Sequence, residues 1–313
     1  MSRWKQEWFD QPKLFVAEHL NGHWSWATER AVGRSLRFPP MPKRQARDQL
    51  WAVSVVRDEI DIIGATLEHL LNQGVDHLLV ADHCSIDGTR EALQERSTQD
   101  PRIHIVLDDQ TGHFQKEKIS RLTRAAWRAG ASWVIPFDAD ELWFARDNTL
   151  RDFLQGCHGD IVTARTINAV PVETGPISSS SEFILADTEA ASKVAVRAHP
   201  LVLIGPGNHG AARVGEATTG LFIAHLPYRN VEQVARKYRN GAQALEAAGA
   251  ADFEGWHWRV GAGMSAPEIA AVWARMRRGD PVTELGWGGA NPKARARVLE
   301  WPSWDPEQVM LGL

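Results

Sequence analysis

Four short apolar runs at near-regular spacing constrain the fold of this chain most. Residues 51–56, 77–81, 103–107 and 133–137 are rich in β-branched, aromatic or other apolar residues and have the length of buried strands. Between them lie stretches of helical spacing. Ile63, Leu67, Leu70 and Leu71 run up to Gly74, a second helix runs through Leu93 with Asp87 as its expected N-cap, and Ile119, Leu122, Ala126 and Ala129 run up to Gly130. Strands and helices alternating at this pitch predict an α/β fold with a mostly parallel central sheet flanked by helices. Ligands of such sheets sit beyond the carboxyl ends of the strands, and all three charged motifs of this half of the chain fall there.

The motif with the most chemistry is Asp138-Ala139-Asp140-Glu141, directly after the fourth run. In extended chain, residues two apart point to the same side. Asp138 and Asp140 are therefore expected to offer oxygens to one divalent cation, with small Ala139 leaving room for a phosphate. Few protein oxygens completed by substrate phosphates suit Mg²⁺ or Mn²⁺. The bland alternative is a solvated acidic turn, and the company of the other two motifs weighs against it. Arg57-Asp58-Glu59 ends the first run and Asp82-His83-Cys84-Ser85-Ile86-Asp87-Gly88-Thr89 ends the second. No Gly-x-Gly-x-x-Gly follows the first strand and no Gly-Lys-Ser/Thr loop is present, so a dinucleotide or P-loop site is not indicated.

These ordered motifs resemble the GT-A glycosyltransferases of family 2, over about residues 50–240. The segment ending in Arg57-Asp58-Glu59 resembles the family's first-strand motif near the nucleotide base. The Asp82 to Thr89 segment resembles its Asp-Asp-x-Ser-x-Asp-Gly-Thr motif, and Asp138 to Glu141 resembles its metal-binding Asp-x-Asp. The resemblance implies a GT-A fold, a nucleotide-sugar donor, a divalent metal and inversion at the anomeric carbon. Two departures stand out: His83 replaces the second aspartate of the nucleotide motif, and no Glu-Asp pair follows where relatives keep the catalytic base.

Later residues offer substitutes. Lys193 and Arg197 share one face of an alternating segment and suit a diphosphate. Gly205-Pro206-Gly207-Asn208-His209 follows, and then an apolar run ends at His225-Leu226-Pro227-Tyr228-Arg229. His225, at a strand end, is expected to be a third metal ligand, since imidazole binds a divalent ion while neutral. The resemblance also implies a late histidine in that role. Glu141, His209 and Glu216 are the candidates for the base, with His209 favoured on the acceptor side. Arg57, Asp58, Glu59 and Asp82 are expected at the nucleotide end, although Asp82 could instead cap its own loop.

A net charge of −4 gives no electrostatic case for nucleic acid. The two cysteines, Cys84 and Cys157, form no framework, so a cytoplasmic setting is expected. No run reaches membrane-spanning length, which leaves a peripheral membrane contact open. Three regions are expected: an N-terminal extension and linker at 1–47, a catalytic domain at 48–240, and a helical, Trp-rich extension at 241–313. A mobile loop is expected at 176–191. Among the fourteen tryptophans, Trp256 and Trp258 bracket His257 and suit a sugar platform, with ordinary packing as the alternative. The expected activity is transfer of a sugar from a nucleotide diphosphate to a glycan or other hydroxyl acceptor. The alternatives are a nucleotidyltransferase of related topology and a non-catalytic carbohydrate-binding protein of the same fold.

Overall fold

The computed structural model describes residues 3–43, 48–110, 112–249 and 256–306. Helices α1 (Arg3–Leu20) and α2 (Trp26–Ser35) and a short edge strand, β1 (Leu36–Arg37), come first. Then follow β2 (Gln49–Val56), α3 (Ile63–Asn72), β3 (His77–His83), α4 (Thr89–Gln99), β4 (Ile103–Asp108), α5 (Gln115–Ala129) and β5 (Ala131–Pro136), in the alternation that the apolar runs foretell. The remainder holds β6 (Glu141–Ala145), α6 (Leu150–Gly156), β7 (Ile161–Pro171), β8 (Phe183–Arg197), β9 (Leu203–Ile204), β10 (Ala211–Ala212) and β11 (Ala217–His225). Helices α7 (Val231–Ala248), α8 (Trp256–Ala262) and α9 (Ala266–Arg277) and strand β12 (Ala290–Ala296) complete it.

Strands β4, β3, β2 and β5 are parallel neighbours in that order, as strand-helix-strand connections require. The sheet continues through β8, β7, β11 and β6, with β1 outside β4 and β12 on β8. Here the directions mix: β8 is antiparallel to both β5 and β7, while β11 is parallel to β7.

The two-residue period of each central strand feeds two cores. Leu50, Ala52, Leu78, Val80 and Ile135 face α3, α4 and α6, whose Leu67, Leu70, Leu93 and Leu154 close that side. Trp51, Val53, Leu79, Ala81 and Val134 face the other way, toward Ile119, Leu122 and Ala126 of α5 and Val32 of α2. Leu67 is fully buried, so truncating it to alanine costs about 3 kcal/mol. Helices α3 and α5 end at Gly74 (φ +85°) and Gly130 (φ +120°), where a side chain would be strained.

Four details differ from the expectations. The residue at the N-cap position of α4 is Gly88, with φ +100°; Asp87, one position earlier, still accepts a hydrogen bond from the Thr89 amide at 3.0 Å. Residues 183–191, expected in a loop, are the first half of β8, held by β7 on one side and β12 on the other. The boundary expected at residue 240 falls inside α7. Residues 256–262 are helical, not the extended chain in which alternate residues share a side. The side chains of Trp256 and His257 lie outside the described residues, and part of the expected linker, 44–47, does too.

Candidate active site

A cleft of about 1300 Å³ opens where β2, β3, β5 and β11 end, lined by Arg57, Asp58 and Glu59, by His83, by Asp138 and Asp140, and by His225. Residues from four separate strand ends thus meet, because parallel strands deliver their carboxyl ends to one edge of the sheet. Helix α7 walls the opposite side with Gln233, Arg236, Lys237, Asn240, Gly241, Ala244 and Leu245. Their spacing of three and one traces a single helical stripe.

The acidic tetrad is a turn rather than extended chain: the Glu141 amide donates to the Asp138 carbonyl at 3.1 Å. Asp138 and Asp140 both reach the cleft, but they meet different cations. Asp138 accepts from Lys193 Nζ at 2.5 Å and from Gln115 and Asn208 side-chain amides at 3.2 Å each. Asp140, 2 % exposed, pairs with Lys237 and lies 3.7 Å from Arg229. Burial alone would raise its carboxyl, yet Lys237, His225 and Arg229 outweigh burial and hold it well below the usual range. Arg229 is itself buried and is clamped by Glu59 and by Asp61 at 2.7 Å.

Glu141 is fully buried behind this wall and does not line the cleft. Its carboxylate lies 2.7 Å from Lys193 and accepts from the Asp138 amide at 3.0 Å and the Trp143 indole at 3.2 Å. Burial raises its carboxyl despite Lys193. The geometry makes Glu141 a brace for Lys193 and the Asp138 turn, and places it away from any acceptor in the cleft. Lys193 is pushed the other way: burial would lower its ammonium, but Asp138 and Glu141 prevail and keep it charged.

His225 Nδ1 stands 2.9 Å from Asn168 Oδ1, and the other end of that amide donates to the Gly286 carbonyl at 3.2 Å. With the amide fixed this way, Nδ1 carries the hydrogen, and Nε2 faces Asp140 Oδ1 at 3.5 Å. A carboxylate oxygen and an imidazole nitrogen so placed, with partly exposed Asp138 nearby, fit a Mg²⁺ or Mn²⁺ ion whose other ligands come from phosphate and water. As the side chains stand, no three carboxylate, imidazole or thiol groups among the described residues converge on one metal position. Lys193 holds Asp138, and Lys237 holds Asp140.

Strand direction decides the remaining candidates. Asp58, at φ +56°, accepts from the Ile86 amide at 2.8 Å and the Asn240 side chain at 2.6 Å, tying the ends of β2 and β3 to α7. Asp82 is buried and takes Arg90 Nε at 2.6 Å, so the cleft wall there is His83, not Asp82. Burial, with help from Lys118, pushes the His83 imidazole down to about 4, and the neutral ring that results both donates and accepts. Arg197, expected beside Lys193, lies at the opposite end of the sheet. Because β8 is antiparallel to β5, its last residue pairs with Trp133 near the start of β5, where Arg197 donates to the Cys157 and Gly159 carbonyls. Glu216, exposed, precedes the first residue of β11, far along the strand from His225 at its last.

His209 does line the cleft. Gly207 (φ +62°) and Asn208 (φ +60°) turn the chain there, and His209 Nδ1 donates to the Ser192 carbonyl at 2.8 Å, leaving Nε2 as a free lone pair. Trp258 also lines the cleft and meets His113 edge-on at 5.2 Å. The residues with no individual signal in the sequence are Asn168 and the α7 group. Their trace is only the polar stripe Arg236, Lys237, Asn240 after the Asn230 cap, legible once the opposite face, Val234 and Tyr238, is known to be buried.

Residues 52–165 match the family described as glycosyl transferase family 2. A curated relative, the putative teichuronic acid biosynthesis glycosyltransferase TuaG of Bacillus subtilis (strain 168), is 35% identical over 86 residues, 26% of this chain and 32% of the relative. That match spans about a third of the relative's length. Among solved structures, S. aureus TarS 1–349 is 15% identical, over 72% of this chain and 71% of its own, with a TM-score of 0.34. The mannosyltransferase PcManGT from Pyrobaculum calidifontis, in complex with GDP-Man and Mn2+, is 15% identical, over 85% of this chain and 83% of its own, with a TM-score of 0.37.

Proposed function

We propose, from the premise that residues 52–165 are a family 2 glycosyltransferase domain of GT-A fold, that this chain moves a sugar from a nucleoside-diphosphate donor to a hydroxyl acceptor with inversion. The observation that carries the reading is the meeting of Asp138, Asp140 and His225 with Lys193, Lys237 and Arg236 in one large cleft at the strand ends. Asp140 and His225, with Asp138, would hold Mn²⁺ or Mg²⁺. When bound, such an ion neutralises charge developing on a diphosphate leaving group.

The chain's own side chains do the rest. Lys193 and Lys237 place fixed positive charge along the wall that faces the diphosphate, and Asp58 and His83 mark the nucleotide-base end. Asn168 orients His225, and Glu141 braces Lys193. His209 Nε2, oriented by the Ser192 carbonyl, takes the proton of the acceptor hydroxyl. The acceptor is a glycan or another hydroxyl compound, and a cytoplasmic setting, suggested by two unpaired cysteines, belongs to the same proposal. The charged loop after β2 lacks the glycines of a nucleotidyltransferase, which leaves that alternative without support.

The test is to incubate the protein with a panel of nucleotide sugars and Mn²⁺ and to assay released nucleoside diphosphate. Release from at least one donor, abolished by Asp140→Asn, is expected. Release of pyrophosphate from nucleoside triphosphates instead, or no binding of any nucleoside diphosphate by calorimetry, would overturn the reading.

A further inference from the structure

Of the eight large hydrophobic side chains that stand exposed among the described residues, five fall between residues 8 and 26: Trp8, Phe9, Val16, Leu20 and Trp26. Phe9 and Leu20 are 68 % and 78 % exposed. At 3.6 residues per turn, Phe9, Val16 and Leu20 fall within about 40° of one another around α1. They form an apolar arc distinct from the buried face, where Gln11 donates to the Leu201 and Ala212 carbonyls. Trp26 continues the patch: its ring stacks on His19 at 3.6 Å between centroids, beside Leu20. Clustered apolar exposure of this kind marks an interaction surface rather than scattered surface residues.

The charge around the patch selects its occupant. Residues 7–43 contain four acids, each only partly exposed: Glu7 is held by Arg213, Asp10 by Lys13 and Glu29 by Arg124, and Glu18 lies 3.1 Å from His23 Nδ1. The basic residues are the outward ones. Arg30 and Arg34 follow Trp26 at four-residue steps on the exposed side of α2, and neither has an ion pair among the described residues. Apolar and aromatic side chains flanked by unpaired arginines, with three of the four acids of this segment held by lysine or arginine, complement a surface that is apolar inside and anionic outside.

We propose that α1 and α2 form a docking face for an anionic lipid bilayer, with Phe9, Leu20 and Trp26 entering the headgroup boundary and Arg30 and Arg34 meeting lipid phosphates. The face adjoins the cleft: Lys116, which lines the cleft, donates to the His23 carbonyl at 2.8 Å and sits 5.1 Å over the Trp24 ring. A docked molecule therefore holds that rim of the cleft near the bilayer surface, where amphiphilic acceptors concentrate. The inference stands apart from the transfer chemistry, because it rests on side chains outside the cleft.

Vesicle cosedimentation of the full chain tests it. Wild type is expected to partition onto vesicles of equimolar phosphatidylglycerol and phosphatidylcholine, much less onto phosphatidylcholine alone, and less at high salt. Phe9→Ser with Leu20→Ser should cut partitioning at least about ten-fold, and Arg30→Ala and Arg34→Ala about five-fold each. Arg278→Ala, at an exposed arginine just after α9 and outside the proposed face, should leave it unchanged. Circular dichroism of the exposed-site variants should match wild type. Failure of wild type to sediment with anionic vesicles overturns the proposal. So does unchanged partitioning of the Phe9/Leu20 variant, or a wild-type dimer that this variant converts to monomer, since the face would then join copies of the chain.

Discussion

Asp140→Asn isolates the central electrostatic claim. The Asp140 side chain is 3% exposed and faces Lys237, His225 at 3.5 Å and Arg229 at 3.7 Å. Removing one partner of a buried ion pair costs about 3–5 kcal/mol, because the other charge stays buried and unpaired. Arg229 keeps Glu59 and Asp61, so the orphan is Lys237, whose side chain is 23% exposed and can partly rehydrate. The lower end, about 3 kcal/mol, is therefore expected in the free protein at pH 7. For a domain this large that is a melting temperature lower by roughly 6 °C. The sign with pH follows from the depressed carboxyl. Its folded value lies below its unfolded one, so its stabilisation is full above the unfolded value and fades as pH falls toward the folded one. Wild type and variant should differ by a constant amount near neutrality and converge in acid. Urea unfolding of Asp140→Asn, Lys237→Met and the double variant supplies the cycle, with an interaction of at least about 1.5 kcal/mol expected. Additive losses, or a gap that widens in acid, would refute the reasoning.

His225→Ala should weaken Mn²⁺ affinity in the donor complex, and Asn168→Ala should do so by about 10–100-fold through loss of ring orientation; calorimetry with nucleoside diphosphate reads both. His209→Ala should lower turnover by roughly 10²–10⁴ with donor affinity intact, as loss of a base does; equal loss of binding would make it a donor residue. Arg197→Ala should leave donor affinity unchanged, since Arg197 caps carbonyls at the far end of the sheet; a large affinity loss would contradict that placement. His69, buried and donating to the Trp143 carbonyl at 2.7 Å, is pushed down to about 4 by burial. Its folded value lies below its unfolded one, so stability is full above the unfolded value and about 2 kcal/mol should be lost between pH 6.5 and 5. His69→Gln should flatten that part of the stability profile.

The sequence by itself determined the parallel half of the sheet, because the two-residue period of the apolar runs and the helical period between them are local properties that each segment carries alone. For the same reason it placed Arg57, Asp58, Glu59, Asp138, Asp140 and His225 at strand ends, and all of them line the cleft, whereas at the end of β3 it favoured Asp82 and the wall is His83. Its extended-chain argument for Asp138 and Asp140 did not hold, since a hydrogen-bonded turn separates them. What only the tertiary structure decided is direction and partnership. An antiparallel β8 keeps Lys193 at the cleft and carries Arg197 out of it, although the two share a face. Glu216 and His225 bound the same strand and so stand at opposite ends of the sheet. Glu141 looks like a free acid in the chain and becomes a buried brace for Lys193. Lys237 meets Asp140 from ninety-seven positions later in the chain. No local pattern encodes such a pairing, because the energy that fixes it exists only when both charges leave water together.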